Sequence, residues 1–394
     1  MIMSCLCQRI MRIWIFKFYV IIKEQIFYMK KRTIFLLAII ALISCKKESG
    51  KTVDSLMIEI NYNSTQSLKL SEYIETAKSI KLETNANCII GEIKKIQIFK
   101  ENIYVLDEIL NRLCIFDKLG RFINKLDKIG QGPGEYITML DFEVNDSGIY
   151  TLDASGRAIN QYDFDLNYIG KKSFPFVSVN FYPLKDKLFY IYNEPIPFSD
   201  YHMLTEINDE GEILDNLFPV KQSSKEPFYW VSYNVFQTYK GDVYFSPRLN
   251  NTIYTKNEKE WIKAIQVSFK DKTFPENEDI QMYDIYGPDF PYMLRNHYFI
   301  SNKYIIVDFS TNMQRYFAFY NKETKLVETG LAQNDLIPDY DRFFPRWQGN
   351  DFLIESVNAE YVLEDFPGLL NTNPELSNLK SDDNPVLVIY ELKK

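Results

Sequence analysis

Short apolar runs, separated by turns rich in Asn, Asp and Gly, follow one another along most of this chain. The clearest unit runs from Asn102 to Tyr136, where three strand-like runs are followed by a glycine-rich corner. Weaker copies of this unit begin at intervals of roughly 40 to 60 residues, a spacing typical of propeller blades with loop insertions. The pattern therefore predicts a β-propeller.

Each unit has one run that is apolar throughout, and we predict that this run is the innermost strand of its blade. The predicted innermost strands are Ile103–Leu106, Ile149–Leu152, Leu188–Tyr192, Val243–Phe245, Tyr304–Val307 and Phe352–Ile354. The predicted next strands are Cys114–Phe116, Ile159–Tyr162, Met203–Ile207, Thr252–Tyr254, Tyr316–Tyr320 and Tyr361–Leu363. Six units of this kind predict an all-β fold, a six-bladed β-propeller with four-stranded blades.

The two ends of this region are expected to close the ring, because an open ring would expose strand edges. Ile80–Leu82 and Val386–Leu392 are the predicted partners within one blade. Insertions between the repeats are predicted at Asp271–Asn302, Leu331–Gly349 and Glu364–Asn384, where they would decorate one rim of the disc.

The N-terminus has the pattern of an export signal. Two Lys and an Arg follow Met29, an apolar run extends from Ile34 to Ile43, and Ser44 precedes Cys45. A basic segment before a short apolar run is typical of a secretory signal, and the run is short for a membrane span. The four residues ending at Cys45 resemble a bacterial lipobox, in which the Cys is lipidated and anchors the protein. The alternative is a signal anchor with an incidental Cys.

This interpretation divides the chain into four parts. Residues 1–28 are an over-extended start, 29–44 the lipoprotein signal peptide, 45–54 a polar tether and 55–394 the propeller. Removing residues 1–44 would change the net charge from −8 to −14. Such acidity argues against non-specific nucleic-acid binding, which depends on Lys and Arg contacts to phosphates. We therefore expect no nucleic-acid partner.

The cysteines of the predicted mature body carry little chemistry. Cys88 and Cys114 lie in an export context where a disulfide is permitted, but Cys114 sits inside an apolar strand. A buried free thiol is the favoured interpretation.

The unit with the clearest pattern also resembles a known repeat. Val105, Asp107, Asn111, Arg112 and Asp117 fall where the NHL repeat has its strand, Asp, Asn-Arg and second Asp positions. With the lipobox and the Asn-Pro-Val-Leu-Val ending, residues 45–394 resemble the six-bladed β-propeller lipoproteins of Bacteroidetes. The resemblance implies an exported outer-membrane lipoprotein of the cell envelope, with no assigned ligand.

The glycine-rich corner from Gly130 to Tyr136 has a structural interpretation. It lacks the Lys-Ser/Thr ending of a phosphate-binding loop. We predict that Gly132 and Gly134 adopt positive φ, and that Tyr136 packs between blades.

Arginines near strand ends are the first candidate site residues. Asp107 with Arg112, and Asp153 with Arg157, recur at equivalent positions, either as structural ion pairs or as part of a ligand-binding ring at the channel mouth. The further ligand-binding candidates are Arg248, Asn250, Arg315 and, as an aromatic platform, Trp230 and Trp347.

A binding module fits this sequence better than an enzyme. The two histidines, His202 and His297, cannot supply a three-His metal site, and no catalytic constellation is evident in the spacing. We expect a carbohydrate, peptide or envelope-protein partner, no cofactor, and a membrane anchor at Cys45. The alternative is a calcium-dependent, lactonase-like hydrolase, whose Glu, Asn and Asp ligands would converge from several blades in the central channel.

Overall fold

The computed structural model describes residues 55–64, 66–184, 188–193, 201–220, 235–247, 250–257, 260–275, 290–311 and 314–394. Ser55–Lys394 form one compact unit. Cys45, Trp230 and Arg248 lie outside the described residues.

Six sheets make up the fold. The first strands in the chain are β1 (Leu56–Glu59), β2 (Ser67–Lys69) and β3 (Ile74–Lys81). Blade 1 contains β4 (Ile93–Phe99), β5 (Asn102–Asp107), β6 (Arg112–Asp117) and β7 (Phe122–Leu126). Blade 2 contains β8 (Met139–Asn145), β9 (Gly148–Asp153), β10 (Ala158–Tyr162) and β11 (Tyr168–Ser173). Blade 3 contains β12 (Ser178–Pro183), β13 (Phe189–Asn193), β14 (Tyr201–Ile207) and β15 (Ile213–Val220).

The second half of the ring repeats this order. Blade 4 contains β16 (Phe236–Tyr239), β17 (Asp242–Phe245), β18 (Thr252–Lys256) and β19 (Trp261–Ser268). Blade 5 contains β20 (Arg295–Ile300), β21 (Tyr304–Thr311), β22 (Gln314–Asn321) and β23 (Val327–Gln333). Blade 6 contains β24 (Trp347–Gln348), β25 (Phe352–Val357), β26 (Val386–Leu392) and then β3. The predicted six-bladed β-propeller is confirmed.

Blade 6 closes the ring with strands from both ends of the described region. β26 pairs antiparallel with β3, with Leu387 opposite Ile80 and Leu392 opposite Ile74. The predicted pairing of these two segments is therefore confirmed. Beyond what the sequence predicted, β1 adds in parallel to β19 and β2 adds in parallel to β23, so blades 4 and 5 gain a fifth strand. These additions cover two strand edges.

The predicted innermost strands are strands, but they are second in their blades. The innermost strands are β4, β8, β12, β16, β20 and β24, and contacts between neighbouring blades run between β4 and β8, β8 and β12, β12 and β16, and β24 and β4. The second strand is the most apolar because it has a strand on each side and another blade against each face. The innermost strand has a free edge at the channel and therefore carries polar residues.

One predicted strand is wrong. Tyr361–Leu363 lie in a short helix, α1 (Ala359–Glu364), which is followed by 3-10 helices at Pro367–Asn371 and Pro374–Asn378. The place of a third strand in blade 6 is taken by β26 from the chain end, so the Tyr-Val-Leu run is left outside the sheet. Two further 3-10 helices occur at Leu70–Glu72 and Lys270–Lys272.

Two of the predicted insertions are shorter than expected. Arg295–Ile300 is β20, and Trp347–Gln348 is β24, so both segments belong to blades. In an antiparallel blade, the connection after the second strand and the connection to the next blade lie on the same side of the disc. We call this side the upper rim. The connections that precede β20, β24 and β26 all lie on it.

Aromatic and aliphatic side chains fill the spaces between blades. Tyr136 is fully buried between blades 1 and 2, and its hydroxyl donates to the carbonyl oxygens of Asn111 (2.8 Å) and Leu126 (3.1 Å). Gly134 has the predicted positive φ of 76°, whereas Gly132 does not have a positive φ and instead donates its N–H to the Glu135 carboxylate at 2.8 Å. The prediction for Gly132 is therefore wrong.

Both cysteines in the described part of the chain are buried and free. Burial raises the pKa of the Cys114 thiol to about 12. The prediction of buried free thiols is confirmed for this pair.

Candidate functional site

The central channel contains a cavity of about 390 Å³, which we call the channel cavity. Innermost strands from five blades line it, namely β4, β8, β12, β16 and β24. Its polar lining includes Lys95, Gln97, Glu143, Asn145, Tyr182, Gln237, Gln348 and Asn350, and its aromatic lining includes Phe99, Phe236, Trp347 and Phe352. A cavity of this size, with aromatic surfaces and convergent polar groups, has the general character of a small-molecule site.

A buried ion-pair network forms one wall of the channel cavity. The Lys95 ammonium lies 2.8 Å from Asp141 and 2.6 Å from Glu143, and it also donates to the Phe142 carbonyl at 2.7 Å. Asp141 in turn accepts from the Asn180 amide at 3.1 Å, so the network joins blades 1, 2 and 3. The lysine is thereby held between two carboxylates at the channel wall.

Burial shifts the pKa values of side chains in and beside this network. Burial, together with the nearby Asp141 charge, raises the pKa of Glu143 to about 7, although Lys95 opposes the shift. Burial raises the pKa of Tyr182, and the nearby Glu143 charge raises it further. A carboxyl group that titrates near neutral pH in a cavity is a feature of many functional sites.

Glutamine side chains connect the innermost strands around the rest of the channel. Gln97 donates to the Val144 carbonyl at 2.8 Å and accepts from its N–H at 2.9 Å, which joins blades 1 and 2. Gln348 accepts from the N–H of Ile300 at 2.9 Å, and Gln237 donates to the Tyr298 carbonyl at 2.7 Å. The Gln237 side-chain oxygen is buried without a hydrogen-bond partner in the described part of the chain, so it can accept from a ligand hydroxyl or amide.

The sequence carries a signal for these residues that a choice of candidates by residue type does not use. In β8, Asp141 and Glu143 alternate with Phe142 and Val144, which pack in the core between blades 1 and 2. Such alternation indicates a strand with one apolar face and one polar face. The run that precedes each predicted innermost strand therefore contains the residues that face the channel.

Among the candidate residues named from the sequence and described here, Trp347 is the one that lines the channel cavity. It is 3% exposed and packs in the core between blades 6 and 1. Arg157 is exposed, with one long hydrogen bond of 3.5 Å to the Pro175 carbonyl. Asn250 accepts from the Thr252 N–H at 2.7 Å, as expected in a turn.

Arg112 is buried, and its side chain contacts other residues of the protein. Its guanidinium donates to the Ile89 carbonyl and lies 3.5 Å from Asp127, while the distance from its Nε to Asp107 is 3.9 Å. Asp107 accepts instead from the backbone N–H groups of Gly91, Glu92, Ile109 and Leu110.

Blade 2 repeats the acidic half of this arrangement. Asp153 accepts from the N–H groups of Thr138 and Gly156, whereas Arg157 forms no ion pair with it among the described contacts. The recurring Asp therefore secures turns at the upper rim, while the recurring Arg has no common role.

Arg315 belongs to a second charged group, at the upper rim of blade 5. Its Nε lies 2.6 Å from Asp308, which is fully buried, and its Nη2 donates to the Pro345 carbonyl at 2.9 Å. Asp308 also contacts the His297 ring at 3.2 Å. Burial alone would raise the pKa of Asp308, but Arg315 and His297 hold it well below its usual range. We call His297, Asp308 and Arg315 the blade 5 mouth.

Within the described ranges, no group of three or more His, Cys, Asp or Glu side chains is arranged to hold a metal ion. None of the helices in these same ranges has both the length and the apolarity to cross a bilayer.

Comparisons with known proteins place the fold in a family. The family model described as "Domain of unknown function (DUF4934)" matches residues 54–391. A candidate exported protein of Bacteroides fragilis is similar in structure, with a TM-score of 0.67 and 19% identity, over 86% of this chain and 99% of that chain. A DUF4221 family member from Bacteroides vulgatus gives a TM-score of 0.49 and 10% identity, over 81% and 97%. The search of curated proteins finds no match.

Proposed function

We propose, from the premise that this chain belongs to the DUF4934 family, that it is an exported propeller that binds a ligand at the cell envelope. The observation that carries this proposal is the channel cavity of about 390 Å³, with its buried network of Lys95, Asp141 and Glu143. Buried charges are costly, and a repeated structural scaffold does not require an asymmetric cluster of them at one place on the channel wall.

The lining of the channel cavity favours a small polar ligand. Amide side chains at Gln97, Asn145, Gln237 and Gln348 offer donors and acceptors, while Phe236 offers an apolar surface. Such a mixture suits a saccharide or a short peptide, which carry many hydrogen-bonding groups beside apolar faces. A carbohydrate, peptide or segment of an envelope protein is therefore the proposed partner.

A screen with a blocked channel tests this proposal. Thr238 is an exposed residue of β16 that lines the channel cavity, so Thr238→Trp would obstruct the cavity with a large side chain without removing a buried one. Thr76, an exposed residue of the outer strand β3, supplies the matched control Thr76→Trp. We expect neutral oligosaccharides or short peptides to raise the melting temperature of the wild type and of Thr76→Trp. The same compounds should leave Thr238→Trp unchanged. Equal shifts in all three proteins would contradict a channel site.

The proposed location is the outer membrane, with lipid attachment at Cys45. The support is the sequence from Met29 to Cys45 and the similarity in fold to an exported Bacteroides candidate. Two lipid chains anchor a protein stably where one chain gives marginal binding. The NHL-like pattern around Asp107 and Asn111 supports a common origin with such propellers.

Replacement of Cys45 tests the anchor. We expect Cys45→Ala to move the protein from the membrane fraction to the soluble fraction, while Ser44→Ala leaves it in the membrane. Mass spectrometry of the wild type should find an acylated Cys45 at the mature N-terminus. A wild-type protein that is unacylated at Cys45 would refute lipidation.

A further inference from the structure

One carboxylate oxygen of Glu143 is available to a ligand in the channel cavity. The other oxygen accepts from the Lys95 ammonium at 2.6 Å, and Glu143 has no second hydrogen bond among the described residues. The Glu143 side chain lines the channel cavity and is 13% exposed. A largely buried carboxylate oxygen without a partner requires a hydrogen-bond donor, which a ligand in this cavity can supply.

The other charged groups of the buried network are already hydrogen-bonded within the protein. Lys95 donates to Asp141 at 2.8 Å and to Glu143 at 2.6 Å, and its third N–H donates to the Phe142 carbonyl at 2.7 Å. Asp141 also accepts from the Phe142 N–H at 2.9 Å and from the Asn180 amide at 3.1 Å. Lys95 therefore has no donor left for an anionic ligand, and Glu143 is the group of this network that can contact a ligand.

The charges around Glu143 favour a cation beside it. One lysine lies between two carboxylates, so the network has an excess of negative charge when both are ionised. Burial raises the pKa of Glu143 to about 7 although Lys95 lowers it, and the charge of Asp141 adds to the rise. The third titratable group near Glu143 is Tyr182 in β12, and burial raises its pKa, so it stays uncharged at neutral pH. A cationic ligand group would offset the excess negative charge.

The remaining charged residues of the cavity lining have partners of their own. Asp146 pairs with Lys100 at 2.8 Å, and the ammonium of Lys240 donates to the Asn302 side chain at 2.8 Å. Both contacts involve exposed side chains at turns. Glu143 is therefore the largely buried carboxylate through which this lining can select for charge.

The cavity also offers surfaces that suit an ammonium group. The rings of Tyr182 and Phe236 both line it, with their centres 5.9 Å apart, and aromatic faces attract cations. Gln237 follows Phe236 in β16, and its buried side-chain oxygen has no partner in the described part of the chain. The unpaired oxygens of Glu143 and Gln237 are both acceptors.

We propose, on the basis of the channel function proposed above, that the ligand of the channel cavity carries a primary ammonium group, which donates to the free oxygen of Glu143. An ammonium group has three donors and no acceptor, so it matches the unpaired oxygens of the lining. The lysine side chain of a peptide and an amino sugar both carry this group. They are the two sources that the test distinguishes.

Calorimetric titration with two pairs of probes near pH 7 and at constant ionic strength tests the ammonium group. N-acetyl-lysine methylamide is compared with its Nε-acetylated form, and glucosamine is compared with N-acetylglucosamine. Acetylation removes the charge from each amine. We expect at least one amine to bind about tenfold or more tightly than its acetylated form. A preference in the first pair identifies a peptide lysine, and a preference in the second identifies an amino sugar.

The variant Glu143→Gln removes the charge and keeps the shape of the side chain, so it should lose the preference for the amine. Glu375→Gln, at an exposed position, is the matched control and should keep the preference. Thr238→Trp obstructs the cavity and should weaken the binding of amines and acetylated forms alike. Equal binding of the amine and its acetylated form to the wild type, with both weakened by Thr238→Trp, would overturn the ammonium proposal and leave the channel site intact.

The pH dependence of the wild type supplies a test that needs no variant. With a pKa of about 7, Glu143 is ionised in about one molecule in ten at pH 6 and in about one in two at pH 7. The dissociation constant of the amine that binds should therefore be about fivefold higher at pH 6 than at pH 7. The amines themselves gain charge as the pH falls, so weaker binding at pH 6 would come from the protein.

Three further results would overturn the proposal. The first is a wild-type protein that binds neither amine. The second is a preference for the amine that persists in Glu143→Gln. The third is an amine that binds the wild type at pH 6 as tightly as at pH 7, or more tightly.

Discussion

Lys95, Asp141 and Glu143 are the residues on which the account of the channel depends. The lysine is shared by two carboxylates at 2.8 and 2.6 Å, and all three side chains are largely removed from water. By contrast, Asp107 and Asp153 accept hydrogen bonds from backbone N–H groups at turns. This shared role explains why they recur along the sequence. The Asp residues that recur along the sequence stabilise turns of the blades. The charged residues of the channel wall do not recur from blade to blade.

The protonation of Glu143 makes a prediction about stability. Its pKa is raised from an ordinary value near 4.5 to about 7, so the folded protein holds this proton more tightly than the unfolded chain does. The stabilising effect is full below pH ~4.5 and is lost as the pH rises to ~7. Relative to Glu143→Gln, the wild type should therefore lose free energy of unfolding, on the order of 2 kcal/mol, over this range.

Urea unfolding at several pH values measures this difference. Glu375→Gln, at an exposed position, is the control and should follow the wild type at every pH. A gap between the wild type and Glu143→Gln that stays constant from pH 4.5 to 7 would show that the pKa of Glu143 is not raised.

At the scale of elements, the closure of blade 6 was predictable because a short stretch of sequence is enough to identify its last strand. Val386–Leu392 is a clean apolar run after a polar loop, and it pairs with β3 as expected. The Tyr361–Leu363 run was equally apolar but lies in α1, because the strand position it could have filled is occupied by β26. The parallel additions of β1 and β2 were missed because pairing over about 200 residues or more leaves no short-range pattern.

The order of strands in the sheets predicts that two deletions lower the stability of the fold by different amounts. β26 lies inside blade 6 between β25 and β3, so deleting residues 386–394 should abolish cooperative unfolding. β1 is a fifth strand at an edge, although it buries Ile58 against the core. Deleting residues 55–60 should lower the melting temperature but keep a single cooperative transition by circular dichroism. Equal effects of the two deletions would contradict the assigned strand order.

For the whole molecule, the number of blades followed from the period of the sequence, while the binding surfaces did not. The channel cavity forms where strands from several blades converge, as with Lys95 in β4 and Asp141 in β8, which are 46 positions apart. A single sequence does not display such convergence. The named candidates were chosen by residue type, and of those described only Trp347 lines the channel cavity.

The central claim is that the central channel holds the principal ligand, and calorimetric titration tests it most directly. The titrant is the saccharide or peptide that gives the largest thermal shift with the wild-type protein. The account predicts one binding site per chain, with affinity reduced at least about tenfold, or ~1.4 kcal/mol, by Thr238→Trp and changed less than about twofold by Thr76→Trp. Undiminished binding to Thr238→Trp would contradict the claim.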